Sequence, residues 1–118
     1  LLQDQSGHYT ARGLADAAEI QFVVDTGASV VVLTEADARR AGIEVAALSY
    51  NVPVSTANGR TTAARVRLGN LSIGEISREN VQALVARPGA LEPSLLGMSF
   101  LTALASFEFR GDRLILTD

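Results

Sequence analysis

Apolar positions along this chain fall in short segments broken by Gly, Asn and Pro, a rhythm that predicts mostly β structure. Ala18 to Val24 reads as a strand that stops at Asp25, and Val30 to Leu33 as another just after Gly27. Val30, Val31 and Val32 are β-branched and apolar on both faces, which predicts a strand buried on both sides. Val52-Pro53-Val54 leads into Thr56-Ala57-Asn58-Gly59-Arg60. Asn58-Gly59 predicts a hairpin turn, because both positions accept positive φ. Thr61 to Leu68 is the returning strand, where Val66 and Leu68 alternate with Arg65 and Arg67 at the period of a half-exposed strand. Leu71 to Ile76 and Val81 to Val85 are further strands, joined through the polar Ser77-Arg78-Glu79-Asn80. Phe107 to Arg110 and Arg113 to Leu116 flank Gly111-Asp112 as a closing hairpin.

Two segments depart from the β rhythm. Thr34 opens a short helix: its hydroxyl can cap free N–H groups, Glu35 and Asp37 sit near the positive end, and Arg39-Arg40 near the negative end. Gly42 fits a left-handed cap at the far end. Met98 to Leu104 shows helical spacing of apolar residues after the loop from Arg87-Pro88-Gly89 to Pro93. The expected architecture is one domain over residues 1–118, a small, mostly antiparallel β barrel or sandwich with two short helices.

Composition narrows the chemistry. At 118 residues, 47% hydrophobic and 19% charged, the chain is sized for one packed core and not for two lobes. Net charge is -3, every basic residue is Arg, and no cluster larger than Arg39-Arg40 occurs, which argues against nucleic acid as a partner. There is no cysteine, and His8 is the only histidine. Disulfide frameworks, thiol chemistry, Ser-His-Asp or Cys-His catalysis and a His-rich zinc site within one chain are therefore excluded. Any acid-base work falls to carboxylates, and no pairing of them suggests a metal site. No apolar run approaches the roughly 20 residues of a membrane helix. The chain begins Leu1-Leu2 without Met, as expected of a processed or trimmed piece that a signal or anchor could precede.

The segment that carries chemistry is an apolar strand, then Asp25-Thr26-Gly27-Ala28-Ser29, then a second apolar strand. Chance occurrence of that whole pattern in a chain this size is on the order of one in a thousand. Gly27 is expected to permit a backbone turn that side chains would not tolerate, holding Asp25 at a strand end. A phosphate-binding loop of the actin and sugar-kinase type also follows a strand with an Asp-x-Gly pattern, but such ATPases need two large lobes. One carboxylate cannot both activate water and protonate a leaving amine, and the sequence holds no second Asp-Thr-Gly. A second Asp25 must then come from another copy related by two-fold symmetry.

The sequence resembles retropepsin-like aspartic proteases, and most closely their bacterial, often membrane-anchored members. Three segments carry the likeness in the family's order: Phe22 to Ser29 as the active-site loop, Ser55 to Arg60 as the flap, and Leu95-Leu96-Gly97-Met98-Ser99-Phe100-Leu101 as the strand and helix that support the loop. The resemblance implies an acid-protease half-barrel that is completed as a homodimer and cuts protein or peptide substrates without a cofactor or metal. It implies catalytic roles for Asp25, Thr26 and Gly27, with Thr26 bracing the dimer. Ala28, Ser29, Ala57, Asn58 and Gly59 would meet substrate, and Leu96 and Gly97 would support the loop. Ala28 stands where pepsin-like lobes carry a hydroxyl, so the expected pH optimum is mildly acidic to neutral. The flap lacks a tip tyrosine, since Tyr50 lies well before the turn. The terminal strand Arg113 to Leu116 is a candidate for the dimer sheet. A periplasmic or membrane-anchored location is also implied, with the membrane reached only through an anchor outside this chain. The same fold without dimerisation would be a peptide-binding module that does not cut.

Overall fold

The computed structural model describes residues 8–56, 59–90 and 93–118. Its strands are β1 (Thr10–Ala15), β2 (Ala18–Val24), β3 (Val31–Leu33), β4 (Val52–Thr56), β5 (Gly59–Ile73), β6 (Ile76–Ala86), β7 (Ser94–Leu96), β8 (Ser106–Arg110) and β9 (Arg113–Thr117). Helix α1 spans Glu35–Arg40 and α2 spans Met98–Leu101, with a single 3-10 turn at Val45–Ala47. Among the described residues the main sheet runs in the order β1-β2-β7-β3-β6-β5-β4, and β1 also pairs with β5. That extra pairing, Gly13 to Ala15 against Leu71 to Ile73, closes six strands into a barrel and leaves β4 outside the ring. The β8–β9 hairpin forms a separate two-stranded sheet.

The core is filled mostly by alternate strand residues, as a period of two requires, while the long β5 changes the face it buries between Leu68 and Leu71. Ile20 and Phe22 of β2, Val31 and Leu33 of β3, Leu68 and Leu71 of β5, and Val85 of β6 are fully buried. Phe100 and Leu101 close one end from α2, and Leu114 reaches in from β9. Helix α1 has the expected ends. Thr34 Oγ1 accepts from the Asp37 N–H at 3.1 Å, and Arg39 bridges to Glu35 at 2.7 Å across one turn. Gly42, at φ 88°, donates to the Arg39 carbonyl while Ile43 donates to that of Ala38, which is a Schellman cap.

Several expectations need correction. Thr61 to Leu68 and Leu71 to Ile76 are not two strands: β5 runs unbroken to Ile73, and the turn comes at Gly74-Glu75. The polar run Ser77 to Asn80 is not a connection but the first part of β6. Ser77 bonds across the hairpin to Asn70 at 2.8 Å, while Arg78 turns away to the Ala103 carbonyl at 3.2 Å. Helix α2 stops at Leu101, with only turns to Ala105. The antiparallel expectation describes most of the sheet, yet β2–β7 and β3–β6 pair in parallel. Val30 lies outside β3, and Val32 is only half-buried, so that strand is not enclosed on both sides.

Strand β1 escaped the sequence pattern because its inward residues are the small ones. Ala11, Gly13 and Ala15 are buried while Leu14 is exposed. A Cβ on Gly13 would lie 2.5 Å from Ile73 Cδ1 and 2.7 Å from the Ser72 carbonyl oxygen. Gly13→Ala is therefore expected to destabilise the fold by about 1–3 kcal/mol through overpacking against main chain. Urea titration reads this as a lower midpoint at unchanged slope.

Candidate active site

Asp25 follows the last residue of β2, and the chain on either side of it is fixed by main-chain hydrogen bonds. Its N–H donates to the Leu96 carbonyl at 3.1 Å, continuing the parallel register in which Val24 faces Leu96. Its own carbonyl accepts the Ala28 N–H at 3.1 Å, which closes a tight turn over Thr26-Gly27. The Gly27 N–H points back to the carboxylate, donating to Asp25 Oδ1 at 2.8 Å. Asp25 is thus held by the loop it begins, with its carboxylate only partly shielded.

Gly27 does this for a different reason from the one the sequence suggested. Its φ lies outside the left-handed region, so no forbidden turn is involved. A Cβ there would stand 3.1 Å from Asp25 Oδ1, crowding the oxygen that the Gly27 N–H holds. Glycine avoids that contact.

Strand β7 is the platform beneath the loop. It lies between β2 and β3, with Leu95 opposite Val23 in one pairing and Val32 in the other. Past its end, the Met98 N–H donates to the Ala28 carbonyl at 2.8 Å and the Ser99 N–H to the Ser29 carbonyl at 2.9 Å. Gly97 makes that contact sterically feasible: a Cβ on it would fall 2.1 Å from the Val30 carbonyl oxygen and 2.8 Å from that of Ala28. Leu96 and Gly97, both buried, thus lie against the loop through main chain.

A cleft of about 640 Å³ opens beside Asp25. Its floor is apolar and continuous, because Val32 faces Leu84 across one pairing and Leu95 across the other. Gly27, Ala28 and Ser29 line it next to Asp25, and Pro53, Val54, Ser55, Thr61 and Thr62 face it from the β4–β5 hairpin. Asp25 is the one charged residue among the described lining residues. Thr26 is exposed and outside this lining. Gly59 opens β5 at φ 116° and pairs with Thr56 at the described end of the hairpin. Ala57 and Asn58, expected at the tip, lie outside the described residues.

The sequence reading missed most of the cleft wall. Val32, Leu84 and Leu95 are apolar residues on the non-core face, indistinguishable from core by residue type. It also missed the root of the hairpin. Arg87 Nε donates to Thr62 Oγ1 at 2.8 Å, and its guanidinium lies 5.1 Å from the centre of the Tyr50 ring. Tyr50 thus braces the hairpin base. A larger groove of about 820 Å³ lies elsewhere, between the Gly74-Glu75 turn and β9. Its charged residues are Arg12, Glu75, Arg113 and Asp118, and the Asp118 carboxylate is neutralised by a pair with Arg78, whereas Asp25 is held by main chain and has no cation beside it in the described lining of the smaller cleft. Chemistry, not volume, selects the site.

The family model for the gag-polyprotein putative aspartyl protease matches residues 11–103. An uncharacterized protein encoded in the cobV 5' region of Sinorhizobium sp is 47% identical over 113 residues, covering 96% of this chain and 48% of the relative. An uncharacterized protein of Rickettsia prowazekii strain Madrid E is 38% identical over 110 residues, covering 93% of this chain and 47% of the relative. The chain thus spans about half the length of either relative. Among solved structures, a retropepsin-like aspartic protease from Rickettsia conorii superposes with a TM-score of 0.89 at 35% identity, over 98% of this chain and 86% of that one. The EIAV protease complexed with the inhibitor HBY-793 shares the fold, with a TM-score of 0.73 at 17% identity over 93% of this chain and 100% of that one.

Proposed function

This chain belongs to the gag-polyprotein aspartyl protease family and has the retropepsin-like fold, and on that premise we propose that it is a peptide endohydrolase working as a homodimer. Each copy would contribute one Asp25. The observation that carries this reading is the setting of that residue: a carboxylate held by main chain on both sides, opening into an apolar cleft with no second acid among its described lining residues. Half a catalytic pair is what one copy holds, and a two-fold axis beside Thr26 supplies the rest.

In such a pair one proton is shared, as is general for aspartic protease dyads. The ionised carboxylate takes a proton from water as the water oxygen attacks the scissile carbonyl. The protonated partner gives its proton to the carbonyl oxygen. Collapse of the tetrahedral intermediate breaks the C–N bond as a proton passes to the departing amine. The substrate lies extended over the Leu84–Val32–Leu95 floor, under the β4–β5 hairpin, and is held by strand-like main-chain hydrogen bonds. Such a floor favours hydrophobic residues flanking the cut. The β8–β9 hairpin fits the role of dimer contact, since Phe109 and Ile115 are large, apolar and exposed.

Incubation with a mixed peptide library, read by mass spectrometry, tests this. Internal cleavage is expected, with a specific activity that rises with protein concentration as dimers form. A strict monomer by sedimentation that binds library peptides and cuts none would instead make the domain a binding module.

A further inference from the structure

Of the two buried polar residues described, Thr34 and Ser94, only Ser94 is completely shielded, and its hydroxyl sits inside the cap of α1. In an ordinary capping box the N-cap hydroxyl accepts from the third helical N–H, and the side chain of that third residue reaches back to the N-cap N–H. The first half is present here, between Asp37 and Thr34. The second half is interrupted. The Thr34 N–H donates to Ser94 Oγ at 3.1 Å, and the Ser94 hydroxyl donates to Asp37 Oδ2 at 2.6 Å. A strand residue 60 positions away in sequence completes the cap.

The strand it belongs to is the platform under Asp25. Strand β7 has only three residues, and Ser94 is its first. Two residues on, the Leu96 carbonyl receives the Asp25 N–H, and just beyond it Met98 and Ser99 hold the Ala28 and Ser29 carbonyls. At its other end β7 is anchored at Ser94, by the pairing with Phe22 of β2 and by the hydrogen bonds of the Ser94 hydroxyl. A hydroxyl bonded to a carboxylate is a strong grip, stronger than a neutral pair.

We propose that the Ser94–Asp37 hydrogen bond is a positioning device for Asp25, fixing β7 against β3 and α1 so that the Leu96 carbonyl holds the catalytic loop at its working height. The inference rests on the reading of Asp25 as the catalytic carboxylate. Neither Ser94 nor Asp37 lines the cleft, so both act through β7 and neither touches substrate.

The test compares Ser94→Ala, Asp37→Ala and Asp37→Asn, with Leu71→Val as a core variant remote from α1. Ser94→Ala and Asp37→Ala are expected to lower kcat about 10- to 100-fold, the scale of a small misplacement of a reacting group, and to change KM by less than about two-fold. Asp37→Asn keeps an oxygen acceptor for Ser94 and is expected to retain at least about half of kcat. Amide hydrogen exchange, followed by NMR, reads the platform without any appeal to activity. At Asp25, Met98 and Ser99 exchange is expected to rise at least about ten-fold in the two alanine variants, with β8–β9 amides unchanged and Asp37→Asn close to the parent. Unchanged exchange at those three amides overturns the proposal, as does a kcat loss that Leu71→Val reproduces at equal loss of stability. If the parent chain cuts no peptide, the function reading fails by itself and the exchange rates alone decide the clamp.

Discussion

Asp25→Asn is expected to abolish peptide cleavage, lowering kcat by about 10⁴-fold or more while the domain stays folded. The substitution is nearly isosteric, and the asparagine oxygen can still accept the Gly27 N–H that now reaches Asp25 Oδ1 at 2.8 Å. Main-chain bonds from Asp25 to Leu96 and Ala28 do not involve the side chain at all. What is lost is the ability to take a proton from water or return one to the amine. Unfolding midpoint and sedimentation behaviour should therefore match the parent, and only turnover should vanish. Cleavage that survives Asp25→Asn in a pure preparation would remove Asp25 from the mechanism.

Gly97→Ala should also cost activity, less than Asp25→Asn and by another route. The new methyl group would fall 2.1 Å from the Val30 carbonyl oxygen, and backbone on that side cannot rotate away as a side chain could. Either β7 or the segment from Ala28 to Val30 must move. Overpacking against a fixed wall costs about 1–3 kcal/mol of stability. The same shift carries the Leu96 carbonyl and the Met98 and Ser99 N–H groups off their partners around Asp25. A displacement of about 1 Å at a reacting group is worth on the order of 100-fold in rate. Kinetics beside a denaturation curve separate the two effects. A variant with parent-like turnover would show that the close approach of β7 to the loop is not needed.

The sequence was most informative where local chemistry decides structure. Thr34, Asp37, Arg39 and Gly42 announce a capped helix, and each performs the expected part in α1. The Asp25 loop and the Leu96-Gly97 support were legible because both depend on residue types with few substitutes. What stayed hidden depends on partners distant in the chain. Strand β1 reads as polar and small because Gly13 and its neighbours make room for Ile73 and Phe22. The Ser77 to Asn80 run looks like a linker until Ser77 meets Asn70 and Ser72 across the hairpin and Arg78 reaches Ala103 and Asp118. Val32, Leu84 and Leu95 look like core until the sheet closes and leaves them facing a cleft. Ser94 gave no signal at all, since a single serine at a strand start carries no hint that it completes a helix cap elsewhere. Gly27 does not take the left-handed turn expected of it, and what its missing Cβ spares is a 3.1 Å contact with Asp25 Oδ1.

The central claim is that one active site needs an Asp25 from each of two copies, and subunit mixing tests it most directly. Parent and Asp25→Asn chains, equilibrated at fixed total concentration, should exchange partners statistically and form dimers with two, one or no catalytic carboxylates. If both are needed, activity follows the square of the parent fraction, and an equal mixture retains about a quarter of the parent rate. A decline in simple proportion, with about half the rate left in the equal mixture, would mean that each chain works alone and would contradict the account.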